Sequence, residues 1–145
     1  MMLCSSLTYA QTTYVYNVSK NEVIIDENSF QVRSIASVTK LMTAIVVLDS
    51  GVSLSENIKP KGVSFFNKTA TREELLTLML VKSDNNAAES LATNHPGGRQ
   101  EFIEMMNRKA QFLGMTNTTY DDASGLSARN TSTAKEDRKS TRLNS

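Results

Sequence analysis

Hydrophobic and polar positions follow one another in blocks along the chain, and each block predicts an element. Tyr14 to Val18 is rich in β-formers, Glu22 to Ile25 follows after Ser19-Lys20-Asn21, and the two predict a hairpin of two strands. Asn28 to Arg33 reads as a connector to the apolar run Leu41-Met42-Thr43-Ala44-Ile45-Val46-Val47-Leu48, which does not alternate. Apolar residues on all sides of a helix imply a helix buried on all sides. That helix is predicted from Ser37 to Ser50, with Gly51 suited to its C-terminal cap. Val52 to Ala70 is less regular, with a short apolar stretch at Val63 to Phe66. Thr71-Arg72-Glu73-Glu74 fits a capping box, and the helix behind it carries Leu75, Leu76, Met79 and Leu80 and ends near Lys82. Ser83-Asp84-Asn85 makes a break, and Asn86 to Thr93 predicts a short helix. His95-Pro96-Gly97-Gly98 is a loop signal. The next helix is predicted from Arg99 to Leu113, with Phe102, Met106, Ala110 and Leu113 on one face and Gly114 as its cap. Met115 to Ser132 reads as a long loop with short extended pieces. Asp137 to Ser145 has neither helical nor strand periodicity and reads as a foreign addition or a disordered tail.

Composition narrows the partners. The 145 residues make one domain or part of one, and 39% hydrophobic with 21% charged residues is ordinarily globular. A net charge of +1 gives no electrostatic case for nucleic acid. The excess belongs to the end of the chain, where Lys135, Arg138, Lys139 and Arg142 outnumber Glu136 and Asp137. Cys4 is the sole cysteine, so no disulfide forms within the chain, and no metal-ligand spacing exists. No run approaches the ~20 apolar residues needed to span a bilayer, so membrane association is not indicated. Thr8 and Ala10 fit a signal-peptidase site after Ala10, and residues 1–10 read as the remnant of an export signal or as a frayed terminus. The expected organisation is therefore that remnant, a domain over 11–136, and a tail over 137–145.

The candidate chemistry lies at the start of the apolar helix. Ser37 and Lys40 stand three residues apart, which along a helix is roughly 300° of rotation and 4.5 Å of rise, so both lie on one face. A serine hydroxyl is a poor nucleophile until a base takes its proton, and a lysine is that base only when largely neutral. Lowering its pKa from about 10.4 towards 7 costs about 4–5 kcal/mol, which burial can supply. A second Ser-x-x-Lys, Ser132/Lys135, has no buried helix behind it. Ser-x-Asn occurs at Ser19/Asn21, Ser55/Asn57 and Ser83/Asn85, and only the third sits on a break between two helices. There Asn85 could hold Lys40 or bind a substrate amide, and Ser83 could relay a proton. By spacing alone, Ser37 and Lys40 are equally an ordinary polar helix start. His95, the sole histidine, stands beside Pro-Gly-Gly and reads as a loop residue. Nothing in the spacing of Asp84, Asp121 and Asp122 distinguishes them from solvated loop charges.

Several ordered blocks carry a resemblance. Ile35-Ala36-Ser37-Val38-Thr39-Lys40-Leu41-Met42-Thr43-Ala44 and Ser83-Asp84-Asn85-Asn86-Ala87-Ala88 resemble the D-alanyl-D-alanine carboxypeptidase family, the low-molecular-mass penicillin-binding proteins. His95-Pro96-Gly97-Gly98, Met106 to Ala110, Leu113 to Thr118, Ser124-Gly125-Leu126-Ser127 and Ser132-Thr133-Ala134 resemble its endopeptidase branch in particular. The resemblance implies an α/β (α+β) transpeptidase-like fold, a five-stranded antiparallel sheet flanked by helices. It implies Ser37 as the acylated nucleophile, Lys40 as its general base, and Ser83 with Asn85 as the second catalytic element. The implied activity is that of a serine-type D-Ala-D-Ala peptidase on peptidoglycan stem peptides or cross-links in the periplasm. β-Lactams are its implied covalent inhibitors, and no metal or cofactor is needed. A serine β-lactamase and a non-catalytic peptidoglycan-binding fragment are the alternatives.

The family's third motif, Lys-Thr-Gly, does not follow Ala134, and Lys68-Thr69-Ala70 lacks its glycine and its order. The resemblance places that motif on a strand that helps to form the oxyanion hole, a donor worth roughly 10²–10³ in rate. Strands of the same region would cover the apolar helix at Ile45, Val46, Val47 and Leu48. The expectation is that this chain alone has low stability and little or no turnover. Circular dichroism with a D-Ala-D-Ala peptide assay checks this, and a stably folded chain that turns the peptide over would contradict it.

Overall fold

Two hydrogen-bonded helix starts organise the centre of the chain. A computed structural model describes residues 11–61 and 69–140. The export-signal reading of residues 1–10 and the apolar stretch Val63 to Phe66 lie outside the described residues. At Thr71 the expected capping box is complete: the Thr71 side chain accepts from the Glu74 amide, and Glu74 accepts from the Thr71 amide at 2.8 Å. It opens α2, Arg72–Lys82. Asp84 then caps α3, Asn85–Thr93, through its Oδ1, which accepts from the Ala87 amide at 2.7 Å. Between the helices Ser83 adopts the left-handed conformation, φ 55°.

The central helix α1, Thr39–Asp49, is preceded by a 3₁₀ turn, Ala36–Val38, and packs against α2, α3 and α4, Gly98–Phe112. Met42, Val46 and Val47 of α1 meet Leu75 and Met79 of α2, Ala87, Ala88 and Leu91 of α3, and Phe102, Met106 and Ala110 of α4, all buried. Each large side chain so buried contributes about 1.5–3 kcal/mol. The predicted faces of α2 and α4 hold, with one exception: Leu80 is exposed, because it falls on the solvent side of α2. Burial of α1 on every side does not hold either. Leu41 and Leu48 are exposed and Ile45 is half-buried, a stripe at i, i+4 and i+7 that faces away from the three neighbouring helices. Val46 and Val47, expected to be partly exposed, are buried because they point into that helical core.

The strands form three two-stranded antiparallel ladders among the described residues. The hairpin pairs β1, Thr13–Asn17, with β2, Glu22–Glu27, with an irregularity between Val15 and Tyr16. All six residues of β2 are exposed, Val23, Ile24 and Ile25 included. The other ladders join β4, Asn57–Ile58, to β5, Ala70–Thr71, and β3, Arg33–Ser34, to β6, Thr131–Ser132. This helical layer with a hairpin and short ladders is a partial α/β domain. The β3–β6 ladder brings the end of the long loop back beside the 3₁₀ turn.

The chain's last described element enters the segment read as a tail. Ala134–Ser140 form a helix, α5, so Asp137 to Ser140 are helical. Tertiary contacts, not periodicity, hold it. Thr133 Oγ1 accepts from the Glu136 amide at 3.1 Å, and Arg138 lies over the Tyr16 ring at 4.0 Å. Glu136 is buried, and its carboxylate accepts from Thr118 Oγ1 at 2.8 Å, from Asn117 Nδ2 at 2.9 Å and from the Asn117 amide at 3.0 Å. Burial alone would raise its pKa, but these hydrogen bonds outweigh it and hold the carboxyl below its ordinary value. A depressed carboxylate stabilises the fold above its unfolded pKa, and that stability is lost as pH falls through the folded value. Glu136→Gln is therefore expected to lower the unfolding free energy at pH 7 by about 1–3 kcal/mol, with the difference from the parent shrinking below pH 4. Urea denaturation at both pH values checks this.

Candidate active site

Ser37 lies exposed in the middle of the 3₁₀ turn, and Lys40 lies buried one turn further on, with 3% of its surface accessible. Lys40 Nζ donates to Ser37 Oγ at 3.2 Å, to Asn85 Oδ1 at 2.8 Å and to the Ser124 carbonyl at 2.6 Å. The expected trio of Ser37, Lys40 and Asn85 is thus brought together from the start of α1 and the first turn of α3. Ser83 stands exposed on the left-handed residue before α3, and the hydrogen bonds that reach Lys40 do not come from it.

The three acceptors are not equivalent, and this decides what the lysine can do. As an ammonium, Lys40 has three N–H bonds for three acceptors. As a neutral amine it keeps two N–H bonds and gains a lone pair. The Asn85 and Ser124 carbonyls can only accept, whereas Ser37 can also donate. The neutral amine therefore satisfies all three neighbours only with its lone pair on the Ser37 hydroxyl, the orientation that removes the serine proton. Burial lowers the Lys40 pKa below its ordinary value, against the opposing pull of the Asp122 and Asp84 carboxylates.

The third acceptor comes from a turn that the sequence reading did not place at the site. Asp122, taken as a solvated loop charge, is buried. Its Oδ1 accepts from the amides of Ser124 at 3.1 Å and Gly125 at 2.6 Å, and its Oδ2 from the amide of Ser127 at 2.7 Å. The signal was present: an aspartate two residues before Ser-Gly is the pattern of a side chain that folds its own turn. Gly125, at φ +86°, lies so close to the Ser37 turn that a β-carbon there would fall 1.9 Å from the Ala36 carbonyl oxygen. Ala36 itself is left-handed, φ 41°, immediately before Ser37. Along α1, Thr39, Lys40 and Thr43 form a buried polar stripe facing the turn, and Thr43 Oγ1 donates to the Ala123 carbonyl at 2.7 Å.

The remaining candidates fall elsewhere. His95 accepts from the Gly97 amide through Nδ1 at 3.2 Å and packs edge-on to Phe102, and burial lowers its pKa. In the second Ser-x-x-Lys, Ser132 is buried and bonded to Thr118, and Lys135 lies over the Phe30 ring. Asp121 pairs with Arg129 at 3.0 Å. Among the described residues no cluster of three histidine, cysteine or acidic side chains could hold a metal ion, and no helix is long and apolar enough to cross a membrane.

A serine, a buried lysine one helical turn away and an asparagine at the start of α3 match in type and spacing the Ser-x-x-Lys and Ser-Asp-Asn motifs of penicillin-binding proteins. The chain belongs to the D-alanyl-D-alanine carboxypeptidase family, whose model matches residues 7–138. It is similar to the D-alanyl-D-alanine endopeptidase of Escherichia coli, 42% identical over 133 residues, covering 84% of this chain and 43% of the relative. The D-alanyl-D-alanine endopeptidase of Pseudomonas aeruginosa is also 42% identical, with 84% and 43% covered. Among solved structures, the cefotaxime-bound penicillin-binding protein D2 of Listeria monocytogenes superposes with a TM-score of 0.78 at 30% identity, covering 88% of this chain and 58% of its own. The chain spans less than half the length of the curated relatives it matches.

The close approach at Gly125 yields a direct test. Gly125→Ala forces a β-carbon into the Ala36 carbonyl and an alanine into a left-handed conformation, at a cost of about 1–3 kcal/mol or more. A lowered urea midpoint is the expected outcome; an unchanged one would show that the turn and the 3₁₀ segment separate freely.

Proposed function

We propose that the chain is the N-terminal, nucleophile-bearing part of a serine-type D-Ala-D-Ala peptidase that acts on peptidoglycan peptides in the periplasm. The observation that carries this reading is the set of three acceptors around Lys40 Nζ, which directs a neutral amine's lone pair to Ser37. Ser37 Oγ attacks the carbonyl carbon of the penultimate D-alanine as its proton passes to Lys40. The C–N bond breaks, the leaving amine takes a proton relayed from Lys40 with the help of Ser83, and an ester on Ser37 remains. Water then hydrolyses that ester. Asn85 fixes Lys40 and offers its amide to the substrate. A β-lactam enters the same first step and leaves its acyl group on Ser37.

Cross-links are the favoured substrate over terminal D-alanine. The support is one of degree: relatives named endopeptidase are 39–42% identical, and those named carboxypeptidase 28–30%.

Intact-protein mass spectrometry after incubation with a penicillin tests the nucleophile. One added penicillin that maps to Ser37 and is absent from Ser37→Ala and from Lys40→Ala is the expected result. A folded parent chain without adduct would count against Ser37 as the nucleophile, or show that acylation needs protein beyond this chain. Repeating the incubation with a longer chain that carries a Lys-Thr-Gly strand separates those two outcomes.

A further inference from the structure

Among the described residues Asp122 and Asn130 form a densely bonded buried polar pair beside Ser37 and Lys40, and the reaction above makes no use of them. Asn130 is fully buried. Its Oδ1 accepts from the amides of Asp121 at 2.7 Å and Asp122 at 3.1 Å, and its Nδ2 donates to Asp122 Oδ1 at 2.9 Å and to the Asp122 carbonyl at 3.1 Å. The same Nδ2 reaches Thr39 Oγ1 at 3.0 Å, and the Asn130 carbonyl accepts from the Ile35 amide at 3.1 Å. Ile35 and Thr39 are the two ends of the turn that carries Ser37. Asn130 therefore grips that turn on both sides, while Asp122 folds the turn that supplies the Ser124 carbonyl.

We propose that Asp122 and Asn130 form a clamp that positions the lysine base, an inference that rests on reading Lys40 as the base of Ser37. The clamp holds the Ser124 carbonyl on Lys40 Nζ and locks that carbonyl to the segment bearing the nucleophile, so that the lone pair of Lys40 has one direction left. Both are positioning residues: among the described residues neither hydrogen-bonds to Ser37 or Lys40. Asp122 has a second effect through its charge, since its carboxylate favours the ammonium that burial disfavours. The other charged groups around the site are Asp84 at the start of α3, Glu89 and Arg99 paired across α3 and α4 at 2.8 Å, and Asp121 paired with Arg129. Of these, Asp84 shares the pull on Lys40.

The two residues act on Lys40 in opposite senses, which makes the clamp testable. The chain is labelled with ¹³C-lysine, and the Lys40 side-chain resonance, identified by its loss in Lys40→Arg, is titrated by NMR. Asp122→Asn keeps an acceptor on the turn and removes the charge, so Lys40 is expected to titrate at lower pH than in the parent. Asn130→Ala keeps the charge and releases the turn to water, so Lys40 is expected to move up towards an ordinary lysine. The rate of penicillin adduct formation on Ser37 is expected to fall on the order of 10–100-fold in Asn130→Ala. Midpoints equal to the parent in both variants, or a shared upward movement of the kind that general loosening produces, would overturn the clamp. Where Asp122→Asn does not fold by circular dichroism, Asp122→Glu replaces it: a parent-like midpoint with a lowered adduct rate supports the clamp, and parent-like values of both overturn it. A parent chain that forms no adduct bears on the nucleophile or on the need for protein beyond this chain, whereas the Lys40 titration still decides the clamp.

Discussion

A primary amine held out of water among fixed acceptors is the constraint on which the rest of this structure depends. Burial sets the direction of its protonation equilibrium, and two carbonyls set the direction of its lone pair. Neither could be supplied by the short stretch that carries Ser37 and Lys40. The burial comes from α2, α3 and α4 closing on α1, and the carbonyls come from the first turn of α3 and from a turn 84 residues away from Lys40. The core of apolar side chains is in this sense the solvent in which the lysine works. Its packing bears on the protonation of Lys40 as well as on stability.

The polar stripe Thr39, Lys40 and Thr43 shows how a helix can be both core and site. Each of its three groups is satisfied by the loop between α4 and α5, through Asn130, the Ser124 carbonyl and the Ala123 carbonyl. Unpaired, each would carry a substantial desolvation penalty. The loop is held in turn by α3, where Glu89 accepts from the Ala123 amide at 3.1 Å. Of the four left-handed residues that are not glycine among the described residues, Asn21 and Asn28 belong to the hairpin region, while Ala36 precedes Ser37 and Ser83 lies at the junction of α2 and α3.

Helix boundaries and buried faces were legible because their causes are local. The Thr71 box, the break at Ser83-Asp84-Asn85 and the 3.6-residue spacing of Phe102, Met106 and Ala110 all lie within a few residues of what they determine. Ser37, Lys40 and Asn85 were legible as residue types at a spacing. Four things were not. Leu80 and the outer stripe of α1 look like core to any rule that counts apolar residues, and only the placement of neighbouring helices reveals the side left open. The helix α5 has no apolar period, since a buried carboxylate and a ring contact hold it. The Ser124 carbonyl belongs to the backbone, and a backbone atom leaves no residue signature. Asp122 and Asn130 were hidden by the loop that contains them, where polar residues read as solvated until the fold shows them buried.

The 84-residue separation between Lys40 and the carbonyl that orients it has a consequence for the life of the chain before it is folded. While the helices are unassembled, the lysine is hydrated and charged, and the serine beside it is no more reactive than any other. Lys40 acquires its buried environment only when the last of these long-range contacts closes. That environment is therefore written into chain topology: in the unassembled chain Lys40 is an ordinary solvated lysine, and no other segment is needed to hold it so.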